Sequence, residues 1–259
     1  MTVYFIGAGP GAADLITVRG QRLVATCPVV LYAGALVPTE LLDQAAPDAS
    51  LVDTADLTLD EIVAELAAAD ARGDDVARLQ SGDLSIYSAV AEQIRRLDAL
   101  GIGYEMVPGV PAFAAAAASL GHELTVPTVG QSVVLTRYGK RATPMPAGES
   151  LEAFAATGAL QVLHLGTQAV EEIAERLTPH YGSDCPAAVV AYASQPREVV
   201  LRGTLADIAG QVRAAGLRRS AVILVGRVLG AEGFPDSHLY SALRERHDCR
   251  SEAAEAGHP

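Results

Sequence analysis

The sequence predicts an α/β protein built as two α/β domains with a ligand cleft between them. Three observations carry this. Over residues 1–120 short apolar runs alternate with helical patterns, the mark of an open, largely parallel sheet. Gly121 to Gly130, with Pro127 inside it, then reads as a linker. Beyond it the runs Ala187–Tyr192 and Val199–Arg202 stand at hairpin-like spacing, so the second sheet is expected to be mixed. The first domain is assigned to 1–120 and the second to 121–246. A polar, Ala-rich tail over 247–259 is expected to be disordered.

The first strand, Val3–Ile6, ends in Gly7-Ala8-Gly9-Pro10-Gly11, and a helix over about Thr17–Ala25 follows. The second strand is Val29–Tyr32. Thr58-Leu59-Asp60-Glu61 is a capping box, behind which Ile62, Val63 and Leu66 mark a helix face lasting to Gly73. A strand at Val76 precedes a helix from Ser88 carrying Val90, Ile94 and Leu97 on one face, stopped by Gly101. Tyr104–Val107 is the fourth strand, and Val110–Leu120 an Ala-rich helix. In the second domain strands fit Val133–Thr136, Leu160–Leu165, Ala187–Tyr192, Val199–Arg202 and Ala221–Val228. Val170, Ile173, Ala174 and Leu177 line one helix; Leu205, Ile208, Ala209 and Val212 line another, with Thr204 as its cap and Asp207 reaching back.

The glycine loop matches G-x-G-x-x-G/A after a strand, but two features argue against a dinucleotide. Pro10 removes an N–H from a loop where a pyrophosphate wants donors. The second strand runs into Ala33-Gly34-Ala35-Leu36-Val37 and offers no acidic residue to a ribose. The loop remains a close-approach turn beside a cleft. Val76 to Ser88 reads as strand, small-residue turn and helix, the unit that presents a ligand at the carboxyl end of its strand. Gly82 lets backbone approach a bound molecule; Asp83 and Ser85 add polar groups, and Ile86 and Tyr87 an apolar wall. An ordinary βα turn with Ser88 as N-cap accounts for the same residues.

Half of the 259 residues are apolar, which allows a large core of buried parallel strands. A net charge of -12 argues against a nucleic-acid surface. Cys27, Cys185 and Cys249 form no paired motif, so neither disulfides nor structural zinc are expected, which favours a reducing cytoplasm. Met1 leads straight into a strand, which excludes a signal peptide, and no apolar run reaches the roughly 20 residues of a membrane span. No nucleophile elbow, phosphate-binding loop or metal-ligand set is present. His164 reads as a satisfied core histidine. Arg137, Lys140 and Arg141 form a basic cluster around the chain's single lysine, suited either to a polyanionic small substrate or to a solvated loop.

Together, G-x-G-P-G (Gly7–Gly11), S-G-D-x-S-I-Y (Ser81–Tyr87), V-P-G-V-P-A (Val107–Ala112) and R-G-T-L (Arg202–Leu205) resemble the ordered motifs of the tetrapyrrole methylase family. These are class III S-adenosylmethionine (SAM) methyltransferases, and the resemblance spans Val3 to about Leu243. Tyr32-Ala33-Gly34-Ala35-Leu36-Val37, Gly82–Tyr87 and the run Ala112–Ala118 resemble the branch that methylates C11 of precorrin-4 in cobalamin biosynthesis. Ala35 departs from that branch's common Ser, and Leu165 stands where related enzymes often carry Met.

The resemblance implies two α/β domains with SAM in the cleft between them, and a homodimer. It implies that Pro10, Ser81, Gly82, Asp83, Ile86, Pro111, Ala112, Leu165 and Ala193 line the SAM pocket. Gly9 and Gly11 would face the tetrapyrrole, with Arg137, Lys140 and Arg141 on its carboxylates. No catalytic acid or base is assigned, because a sulfonium is already activated and an electron-rich carbon supplies its own push. Tyr32 and Tyr87 are the candidates for contacting the macrocycle. Cobalt-precorrin-4, another ring position, or a carrier role without catalysis are the alternatives; no metal site is expected.

Overall fold

The structure, a computed structural model, describes residues 1–138 and 143–240. In its first half β1 (Thr2–Gly7), β2 (Val29–Tyr32), β3 (Ser50–Asp53), β4 (Val76–Gln80) and β5 (Gly103–Val107) form one parallel sheet in the order β3-β2-β4-β1-β5. All five residues of β4 are buried, because helices cover both sheet faces. Val3, Phe5, Val29, Leu31 and Val76 pack on one face against Ile62 and Leu66 of α3 (Leu59–Arg72) and Val90 and Leu97 of α4 (Val90–Leu100). Ile6, Val30, Ala77 and Leu79 face the other way, toward Val24 of α1 (Val18–Thr26) and Leu41 of α2 (Thr39–Leu42). Each such fully buried Leu stabilises the fold by roughly 1.5–3 kcal/mol.

β6 (Val133–Arg137), β7 (Leu160–His164), β8 (Pro186–Ala191), β9 (Val199–Thr204) and β10 (Ala221–Val225) form the second sheet, ordered β6-β7-β10-β8-β9. Only β6 and β7 run parallel; β8 and β9 pair antiparallel from Ala191↔Val199 to Pro186↔Thr204, as their spacing predicts. One face carries α6 (Leu151–Ala155), α7 (Val170–Tyr181) and α8 (Ile208–Ala214). The other carries α5 (Ala112–Leu120), whose Ala115, Ala116 and Leu120 lie against Leu160, Val162, Ala188, Val190, Val222 and Leu224. Alanines let this helix approach the sheet closely, and it ties the two halves together.

Several expected boundaries move. β3 is a short edge strand with a largely exposed pattern, and pairing with β2 rather than its own sequence defines it. α4 starts at Val90, not Ser88: Ala89 is left-handed, and the Ser88 hydroxyl donates to the Leu84 carbonyl instead of capping the helix. α5 starts at Ala112, since Pro111 before it is extended and serves as the N-cap. Thr204 ends β9; Asp207 does reach back, accepting from its N–H at 2.7 Å, but α8 starts at Ile208. β10 ends at Val225, three residues early, and a 3-10 turn follows over Arg227–Gly230. Among the described residues no helix is long and apolar enough to cross a membrane. The tail over 247–259 lies outside the described residues.

Candidate functional site

The segments after β1 and β4 meet the ends of β7 and β8. On the first sheet, the turns after β1, β4 and β5 lock together through backbone. Ala8 N–H donates to Gln80 O at 2.8 Å, and Gly82 N–H donates to Gly9 O at 2.7 Å. A Cβ on Gly109 would lie 2.3 Å from Gly82 O and 2.6 Å from Gly7 O, so no side chain fits where these turns touch. Gly82 itself has φ +72°, and its nearest neighbour across the open side would be Ala112 N at 3.9 Å from a Cβ. Conformation, not crowding, selects glycine there, and the space beside Pro111 and Ala112 stays open.

Asp83 staples this platform. Its Oδ2 accepts from Gly109 N–H at 2.8 Å, and its Oδ1 accepts from the N–H and hydroxyl of Ser85. Burial raises the carboxyl's pKa, but these hydrogen bonds outweigh it and hold the group below its ordinary value. Both oxygens are thus engaged within the protein.

The second sheet contributes Leu165 after β7, with φ +59° and 61% exposed, and Tyr192-Ala193-Ser194 after β8. Among the described residues seven non-glycines adopt left-handed φ, and Tyr87, Ala89, Leu165, Tyr192 and Ser194 are five of them. Each such residue costs on the order of 1–3 kcal/mol and persists only where its surroundings fix it. Tyr87 and Ala89 lie in the segment between β4 and α4, and Leu165, Tyr192 and Ser194 in the turns after β7 and β8. The halves are joined: Ala12 N–H donates to Ser194 Oγ at 3.0 Å, while Ser194 N–H and the Ser119 hydroxyl donate to Glu198 Oε2 at 2.6 and 2.8 Å. Gly11 lies under Gln195, whose Cγ a Cβ would meet at 2.3 Å.

Tyr87 crosses the cleft. Its ring is 5.5 Å from that of His164, at an interplanar angle of 54°. Burial raises the Tyr87 pKa, and Glu149 adds to this against Arg137 and a hydrogen bond with Thr136. Burial lowers the His164 pKa, and its Nε2 is buried without a partner, so this is not the satisfied core histidine expected from the strand. Arg137 pairs in register with His164; its Nη2 donates to Thr143 O at 2.6 Å, and its buried Nη1 has no partner among the described residues. The two orphaned polar groups therefore sit on neighbouring strands at the same mouth.

Comparison with known proteins gives the family. The family described as Tetrapyrrole (Corrin/Porphyrin) Methylases matches residues 2–209. The chain belongs to the tetrapyrrole methylase family. A Rhodococcus erythropolis protein named precorrin-4 C(11)-methyltransferase is 66% identical over 246 residues, covering 95% of this chain and 99% of that one. The solved structure of a cobalt precorrin-4 methyltransferase superposes with TM-score 0.85 at 37% identity, over 88% of this chain and 95% of that chain. A Thermus thermophilus uroporphyrin-III C-methyltransferase, solved with S-adenosylhomocysteine, gives TM-score 0.73 at 27% identity, over 88% and 93%.

Within this tetrapyrrole methylase fold, the residues expected to hold SAM come from adjoining turns. Ser81, Gly82 and Ile86 follow β4, Pro111 and Ala112 open α5, and Leu165 and Ala193 follow β7 and β8. Pro10 is buried in the β1 turn. Open space before Gly82 and the exposed Leu165 side chain suit SAM's flat ring. Gly9 and Gly11 are buried, so any ligand contact there is through backbone. Tyr32 packs half-buried into the α1–α2 side of the sheet. Lys140 and Arg141 lie outside the described residues. The sequence reading missed Glu198 and Ser194, which carry no motif, and Arg78, whose signal is an arginine inside the apolar strand V-A-R-L-Q.

Proposed function

We propose that this chain transfers a methyl group from SAM to C11 of precorrin-4, giving precorrin-5 and S-adenosylhomocysteine in cobalamin biosynthesis. The observation that carries this is 66% identity along almost the whole of a protein named precorrin-4 C(11)-methyltransferase, against 40% to one named cobalt-precorrin-4 C(11)-methyltransferase. Bound SAM supplies a methyl group on a positively charged sulfur, so the protein need not activate a leaving group.

What the residues supply is alignment and exclusion of water. The glycine platform of Gly7, Gly82 and Gly109, tied by Asp83, fixes the floor of the SAM pocket; Pro10, Ser81, Ile86, Pro111 and Ala112 shape it. Leu165 and Ala193 close it from the second sheet. Arg137 offers Nη1 to a substrate carboxylate, and Lys140 and Arg141 extend the same charge. As the new carbon–carbon bond forms, a ring nitrogen conjugated to C11 gains acidity. His164, whose pKa burial lowers, lies against the Tyr87 ring with Nε2 unpartnered among the described residues and can take that proton.

The enzyme works as a homodimer in the cytoplasm; the buried, unpaired thiols of Cys27 and Cys185 suit a reducing compartment, and light scattering tests the dimer. The reaction is tested by incubating the purified chain with methyl-labelled SAM and metal-free precorrin-4, followed by mass spectrometry and NMR. One methyl at C11 is the expected result. Transfer only to cobalt-precorrin-4 moves the chain to the early-cobalt route, and no added mass with either substrate favours a carrier.

A further inference from the structure

A second cavity, of about 650 Å³, opens between the loop after β2, the start of α3 and the start of α4. Its floor is Arg78, at the centre of β4 and only 3% exposed. The guanidinium is held by two neutral groups: Nη1 donates to Thr54 Oγ1 at 2.9 Å and Nε to Gln93 Oε1 at 3.2 Å. Nη2 has no protein partner among the described residues, and no carboxylate bonds the group. Glu92 also lines the cavity but faces solvent, and burial alone lowers the Arg78 pKa, to about 10. A buried cation without a counter-ion is unfavourable, and proteins keep one where a ligand completes it.

We propose that this cavity is a carboxylate subsite, in which Arg78 receives an acidic side arm of the macrocycle through Nη2. The inference rests on the proposed tetrapyrrole substrate, whose many carboxylates need more cations than Arg137 and its neighbours provide. Position supports it. The strand that carries Arg78 continues through Gln80 into the Ser81–Gly82 turn of the SAM pocket, and Leu36, half exposed, stands on the cavity wall within the segment Tyr32–Val37. Thr54 and Gln93 fix the plane of the guanidinium, which orients it for a carboxylate before any ligand arrives.

The test is binding without turnover. Uroporphyrin, a metal-free octacarboxylate, is titrated into the full-length chain and followed by its absorption shift, while calorimetry measures S-adenosylhomocysteine. Arg78→Met is expected to weaken uroporphyrin about tenfold or more and leave S-adenosylhomocysteine unchanged. If Arg78→Met does not fold, Ala55→Asp, on the exposed cavity edge, places a negative charge beside the site and is expected to weaken uroporphyrin at least severalfold. Unchanged uroporphyrin affinity in the variant that folds, or no saturable binding to the wild type, overturns the subsite. A loss confined to S-adenosylhomocysteine overturns it too, because the carboxylate is then the methionine one of SAM. The methyl-transfer assay separately decides the substrate reading: methylation at C11 with Arg78→Met unimpaired in KM removes the subsite and leaves the reaction standing.

Discussion

Asp83 and Gly109, 26 residues apart, are joined by a 2.8 Å hydrogen bond from the Gly109 N–H to the Asp83 carboxylate. This contact links the turn after β4 to the turn after β5, and so fixes two walls of the proposed SAM pocket relative to each other. A motif that reads in sequence as a polar ligand contact is, in the fold, a brace between two backbone turns.

Asp83→Asn keeps the shape but loses the charge, and is expected to cost about 1–3 kcal/mol, the range for a hydrogen-bonded charged acceptor. Because the fold holds this carboxyl below its unfolded value of about 3.9, the contribution is present at neutral pH and fades as pH falls through the folded value. Urea unfolding at pH 7 and near pH 3 reads this directly. A wild-type advantage that persists undiminished in acid would remove the charge from the explanation.

The two glycines of the platform should respond differently. Gly82→Ala meets open space and costs only its left-handed conformation, about 1–2 kcal/mol. Gly109→Ala drives a methyl to 2.3 Å from Gly82 O, so the turns after β1, β4 and β5 must separate. Denaturant midpoints should therefore fall further for Gly109→Ala, with weaker S-adenosylhomocysteine binding in calorimetry. Equal losses would mean that the turns have room to give.

His164 predicts a pH signature. Burial lowers its folded pKa below the unfolded value of about 6.5, so between the two the unfolded chain binds more protons. Stability is full at pH 7 and falls as the solution is acidified through 6.5 toward the folded pKa. His164→Gln should flatten that slope and also lower kcat more than it raises KM for SAM, since it removes an acceptor and not a binding wall. A kcat profile unchanged in shape would assign His164 to packing alone.

Much of the fold was legible because the inner strands β2 and β4 of the first sheet are buried on both faces and therefore read as apolar runs, as Val76–Leu79 and Val29–Tyr32 do. β3 was not, because Ser50–Asp53 is an exposed edge whose geometry comes from β2. The Gly82 turn was visible through its small residues and Tyr87 through its motif. His164 was misjudged because a strand position alone does not tell which end of the strand faces a cleft. Arg78 was hidden for the opposite reason: one charged residue in an apolar strand is conspicuous, but its meaning depends on Thr54 and Gln93, distant in sequence.

The link across the cleft yields the last prediction. Glu198 collects the Ser194 N–H and the Ser119 hydroxyl on one oxygen, and Ser194 in turn accepts from Ala12 N–H. One carboxylate thus ties α5, the turn after β8 and the glycine loop after β1. Glu198→Ala leaves the Ser194 N–H without its partner and frees a residue held at φ 65°, a strain of about 1–3 kcal/mol that the surroundings no longer oppose. Ala193, next to it, then loses its fixed position at the proposed SAM pocket. The expected outcome is a KM for SAM raised about tenfold, with a smaller change in kcat and a macrocycle affinity near wild type. Glu198→Gln, which keeps an acceptor for Ser194, should recover most of the loss. A variant that instead lowers kcat at unchanged KM would show that the loop moves with the chemistry and not with SAM binding.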